Sequence, residues 1–167
     1  MASIPVYRLS RTEDMRVRLV KHGEPIKTGA DTTVLCDSSI VHSLMCDSRI
    51  HLHSEHDEFF YAIMCSDCGF VYSIIEISRG SYNNAPMNSR DVMTAALLTG
   101  ASACVVIHNH PSGCDEPSTN DDDATKQLVK MLKCIGVKLL DSYIVATKEL
   151  GYSYIENKPE ILGLKKK

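Results

Sequence analysis

His108-Asn109-His110-Pro111-Ser112-Gly113 and Pro117-Ser118-Thr119-Asn120-Asp121 carry the densest chemistry in the chain. On an extended backbone alternate residues face one side, so His108 and His110 can aim both imidazoles at a single point. Pro111 and Gly113 turn the chain away, and a helix starting near Ser118 returns Asp121 in its first turn. Two imidazoles and one carboxylate suit zinc (Zn2+), with the fourth position left open for water. That open position is the arrangement of a catalytic metal rather than a purely structural one. The same residues have plainer readings. A His-x-His is commonly two surface histidines, and Ser118 with Asp121 forms a capping pair at a helix start. Ligation and capping are compatible, because a monodentate carboxylate leaves one oxygen free.

The elements that must position these groups are legible around them. Cys104-Val105-Val106-Ile107 reads as a short buried strand leading into His108. After the polar stretch, Ala124, Leu128, Met131, Leu132 and Ile135 recur at helical spacing, and Gly136 ends that helix. Val137 to Ala146 is a further strand. Upstream, Phe59 to Cys65 is apolar at every position, as a strand buried on both faces should be. Ser66-Asp67-Cys68-Gly69 is turn chemistry, and with Phe70 to Ile77 it completes a hairpin. Ser89 is read as the cap of a helix over Arg90–Leu98, ended by Gly100. Val6 to Leu9 is read as a short strand and Lys21 to Ala30 as a loop. Asp31 or Thr32 is taken to cap a helix running to about Arg49, with Val34, Val41, Leu44 and Met45 on its apolar face. Alternating helices and strands give an α/β chain: a mixed, curved sheet flanked by helices. Residues 1–50 are read as an N-terminal segment with a helix packing on the core, continuous with a metal-binding domain over 51–167.

The chain has 167 residues, a net charge of −3, 44% hydrophobic residues, no Trp and 3 Phe. This suffices for one sizeable core and excludes wholesale disorder. The acidic balance and scarce aromatics disfavour a nucleic-acid platform. No apolar run approaches the length of a membrane span, so no membrane role is expected. Met1 to Leu9 lacks the basic and apolar blocks of an export signal. The 7 cysteines are therefore expected as reduced thiols of a cytoplasmic protein.

The segment resembles the JAMM (JAB/MPN+) metalloprotease motif in the form carried by the RadC family. That pattern comprises an upstream Glu, the His-x-His pair, a Ser and an Asp, which fall here on Glu58, His108, His110, Ser118 and Asp121. The match extends to Ser78-Arg79-Gly80-Ser81, Arg90, Thr125 and Leu139-Leu140-Asp141. The resemblance implies a JAB/MPN, deaminase-like fold and zinc-dependent hydrolysis of peptide or isopeptide bonds, with a peptide or protein as partner. It implies His108, His110 and Asp121 as metal ligands, Glu58 as the base that takes a proton from the attacking water, and Ser118 as a hydrogen-bond donor to the oxyanion. Residue type alone leaves Glu55 and Asp57 open beside Glu58; the resemblance selects Glu58. The sequence departs from the family at Cys114-Asp115-Glu116, at Ser89 and at Ser142. Cys114 is read as a small solvent-facing loop residue, with a thiol able to approach an open zinc position as the alternative.

Rival readings are weaker. His53-Ser54-Glu55 with Cys65 and Cys68 imitates a zinc deaminase signature, but the stretch between Glu55 and Cys65 is too short for the intervening elements. The RadC label carries an association with DNA repair, so an accessory role on nucleic acid is one alternative. A catalytically silent metal-binding interaction domain is the other. Asp115, Glu116, Asp121, Asp122 and Asp123 crowd the metal loop and would repel phosphates.

Overall fold

Two strands, β5 (Phe59–Cys65) and β7 (Ala103–Asn109), are buried at all seven of their positions. An all-apolar strand is stable only where both sheet faces are covered, and that requirement organises the molecule. The computed structural model describes residues 3–28, 33–35, 37–81 and 87–165. Within them, β2 (Val6–Arg11), β3 (Val17–Lys21), β5, β6 (Val71–Arg79), β7, β8 (Lys138–Val145) and β9 (Gly151–Ser153) form one seven-stranded sheet in the order β3-β2-β6-β5-β7-β8-β9. The β2–β6 and β7–β8 pairs are parallel and the others antiparallel, so the sheet is mixed. Strands β1 (Ser3–Ile4) and β4 (Ile26–Lys27) form a separate small pair.

Strand alternation divides the core in two. Phe60, Ala62 and Met64 of β5, with Cys104 and Val106 of β7, face helices α2 (Ser89–Thr99) and α3 (Thr119–Cys134). Phe59, Tyr61 and Ile63, with Val105 and Ile107, face α1 (Ser38–Met45) and the β1–β4 pair. Helix α3 follows its pattern closely. Leu128 and Leu132 are fully buried, and Ser118 caps its start. Helix α2 ends at Gly100, whose φ of 66° is the left-handed conformation that glycine adopts most readily. Asp141 of β8 is buried, accepting bonds from the Ser153 hydroxyl at 2.6 Å and the Ile155 N–H at 2.9 Å. It thereby ties β8 to the strand and to the short helix α4 (Tyr154–Asn157) that follow. Burial outweighs those bonds and pushes its carboxyl up to about 6.

Three sequence expectations are corrected. Helix α1 begins at Ser38, capped by the Asp37 side chain accepting from the Ser39 and Ile40 N–H groups. The alternative caps Asp31 and Thr32 lie outside the described residues. Val34 is not helical but pairs with Phe70 as an isolated bridge, so its helical spacing was coincidental. Asn88, not Ser89, caps α2. Strand β3 lies at the open edge of the sheet and has no fully buried position.

Gly151 shows how tightly the β8–β9 turn closes. A Cβ there would overlap the Tyr143 hydroxyl and lie 2.8 Å from the Ile144 carbonyl oxygen. The Ile144 carbonyl is backbone and cannot swing aside, and the Tyr143 hydroxyl is engaged 3.2 Å from Nδ1 of His42. Gly151→Ala is expected to lower stability by about 1–3 kcal/mol, seen as a lower denaturant midpoint. An unchanged midpoint would contradict the close approach.

Candidate metal centre

His108 stands near the end of β7, opposite Phe60 in the β5 register, and the two rings stack 6.1 Å apart. His108 is 3% exposed. It shares the strand face of Cys104 and Val106, which is the face that α3 covers. Beyond the strand, the His110 N–H bonds to the Val145 carbonyl, and the chain turns at Gly113 with φ 77°. The two imidazoles converge with their Nε2 atoms 3.0 Å apart. Nδ1 of His110 lies 2.8 Å from the carbonyl oxygen of Cys114. A carbonyl only accepts, so Nδ1 carries the proton and Nε2 presents its lone pair to the centre.

Asp121 arrives on the first turn of α3. Its Oδ1 is 3.4 Å from Nε2 of His108, and its Oδ2 is 3.7 Å from Nε2 of His110. The capping box is present as well. Oδ2 accepts from the Ser118 N–H at 2.8 Å and from the Ser118 hydroxyl at 2.6 Å, while the Asp121 N–H donates to Ser118 Oγ. One carboxylate oxygen therefore serves the cap, and the other faces His108 without a share in it. Helix α3 is held in place by Asp122, which accepts from Lys158 Nζ at 2.8 Å and from the hydroxyl of fully buried Tyr154 at 2.9 Å. Thr125 adds a buried hydroxyl contact with Ser142 on β8 at 3.2 Å.

Glu58 completes the cluster. Its carboxylate and the ring nitrogens of His108 and His110 offer ligand atoms that all lie within 4.8 Å of one another. Strand parity explains why Glu58 is here: it precedes Phe60 by two and shares the face on which Phe60 stacks against His108. Asp57 is engaged elsewhere, accepting from Arg79 at 3.1 Å, and Arg79 also lies over the Phe59 ring. The Gly80 N–H bonds to the Glu58 carbonyl oxygen. Arg79 and Gly80 thus brace the segment that carries Glu58.

The electrostatics suit a cation. Burial pushes His108 down to about 4, against the pull of Asp121, so the ring is neutral. Burial opposes ionisation of Asp121, but the nearby His110 and His108 rings and the bonds from Ser118 hold its carboxyl below the usual carboxylate range. Burial also opposes charge on His110, but Asp121, the Cys114 carbonyl and Glu58 raise it above its ordinary value. Two ring nitrogens facing each other beside carboxylates are the donor set of a divalent metal, and the residues present fit one.

The sequence profile of the RadC-like JAB domain matches residues 35–159. The chain belongs to this family. A UPF0758 protein of Caldanaerobacter subterraneus subsp. tengcongensis is 34% identical over 130 residues, which cover 74% of this chain and 54% of that protein. A UPF0758 protein of Clostridium acetobutylicum is 37% identical over 94 residues, covering 56% of this chain and 41% of the relative. One from Shewanella piezotolerans is 39% identical over 93 residues, with the same coverage of 56% and 41%. The chain spans about half the length of the curated relatives it matches. Among the described residues no helix is long and apolar enough to cross a membrane.

Sequence reasoning missed the part played by Cys114. The residue is exposed and meets the cluster through its backbone carbonyl, which orients His110, rather than through its thiol. No residue type signals a carbonyl contact, so only the loop geometry could reveal it.

A cation held here competes with the proton on His110. Acidification should therefore weaken metal binding from the raised His110 range downward, by about one log unit per pH unit. A second proton, on His108, should enter only near pH 4. Metal titrations between pH 8 and pH 5 check this; a pH-independent affinity across that range would contradict it.

Proposed function

We propose that the chain is a zinc-dependent hydrolase of peptide or isopeptide bonds. The observation that carries the reading is the convergence of the Glu58 carboxylate on His108 and His110, with Asp121 approaching the same pair. His108, His110 and Asp121 would hold the metal. Zinc bound there supplies a Lewis acid that polarises a carbonyl and makes water acidic near neutral pH. Glu58, close to both imidazoles yet only half-buried, is placed to take a proton from the attacking water. It would then return that proton to the leaving amine. The Ser118 hydroxyl now donates to Asp121, and its exposed position lets it rotate toward an oxyanion.

The surroundings favour a peptide over a nucleic acid. Glu116 and Asp123 are exposed on the rim and Asp115 is half-exposed, which disfavours phosphates. Membership in the RadC-like JAB domain family agrees with a metal-dependent site in this position. A base is not a ligand, so Glu58→Gln should keep the metal while lowering cleavage by roughly 10²–10⁴-fold. The test screens a library of peptide and isopeptide substrates with wild type and variant, with metal content measured on both. Cleavage by Glu58→Gln at the wild-type rate would overturn the assignment of the base.

A further inference from the structure

Asn109 lies between the two histidines and is 2% exposed, yet its side chain points to neither of them. By alternation it faces the opposite side of β7. Its Oδ1 accepts from the Phe59 N–H at 2.7 Å, and its Nδ2 donates to the Asp57 carbonyl oxygen at 3.0 Å. The orientation of the amide follows from its partners, since an N–H can only donate and a carbonyl can only accept. These two groups belong to the two peptide units on either side of the Glu58 Cα. A planar amide holding both restrains φ and ψ of Glu58 together. The contact also sits where the ladder ends. The β5–β7 register runs to Phe60 opposite His108, and beyond it the Asn109 backbone continues only with Val145 of β8. The side chain thus bridges the point at which β5 and β7 part.

We propose that Asn109 is a positioning residue, which sets Glu58 against the metal centre by clamping the peptide groups on both sides of it. The inference rests on the reading of Glu58 as the base. The segment that carries both histidines also fixes the base, so the distance between base and metal is set by one residue rather than by a flexible loop. A loop-borne carboxylate would sample many positions, and small misplacement of a catalytic group costs rate steeply.

The test uses cobalt(II) as a spectroscopic substitute in the full chain, with wild type, Asn109→Ala, Glu58→Gln and the double variant. Asn109→Ala is expected to lower cobalt affinity by less than about tenfold, below the range that loss of ligand support costs. It should shift the pH midpoint of the cobalt visible spectrum in the same direction as Glu58→Gln does, and the double variant should show no further shift. In the metal-free protein, exchange of the Phe59 amide should accelerate by at least about tenfold in Asn109→Ala. Asn109→Gln keeps the amide but displaces it by one methylene. It should give a smaller shift of the same sign and serves the same comparison if the alanine variant does not fold. An unshifted midpoint with undisturbed Phe59 exchange would overturn the positioning role alone, as would an affinity loss of tenfold or more. Wild-type protein that binds no cobalt, or a midpoint that Glu58→Gln does not move, would remove the base reading and this inference with it.

Discussion

Two imidazole nitrogens 3.0 Å apart, one of them on a buried ring, are the constraint around which the rest of the structure is arranged. Such a pair is costly unless each ring has a fixed tautomer and something electropositive lies between them. The Cys114 carbonyl fixes His110, burial keeps His108 neutral, and Asp121 supplies negative charge from the side. Each of these depends on a different element. The loop after Pro111 provides the carbonyl, the β5–β7–β8 sheet provides the burial, and α3 provides the carboxylate. Tyr154, Lys158 and Ser142 hold α3 against the sheet, so contacts remote from the cluster determine where Asp121 sits.

Under the proposed function, the same arrangement would meet two demands on Asp121. A helix start leaves N–H groups that need acceptors, and a metal needs an anionic ligand. One carboxylate oxygen completes the capping box while the other is turned to His108. The negative charge near the α3 N-terminus also suits the helix dipole.

The central strands and α3 were legible in the sequence because burial on two faces, amphipathic spacing and capping each leave a mark on residue type. The histidine pair and Asp121 were legible for a related reason: their spacing matches strand alternation and one helical turn. The family motif selected Glu58 over Glu55 and Asp57, and strand parity with Phe60 supplies the physical reason. Other features left no mark. The start of α1 was misplaced because the apolar Val34 fits helical spacing while sitting in a bridge to Phe70. Strand β3 is a short edge strand with no fully buried position. The contacts that hold Glu58 and His110 run to backbone groups at Asp57, Phe59 and Cys114, and backbone groups are the same at every position.

X-ray absorption at the edge of the metal retained by the chain, purified without added metal, tests the central claim most directly. One zinc per chain is expected, with two imidazole nitrogens at about 2.0–2.1 Å and a carboxylate oxygen among its ligands. His108→Ala/His110→Ala is expected to abolish both the imidazole signal and the bound metal. Full metal content in that double variant, or a retained metal coordinated without imidazole, would contradict it.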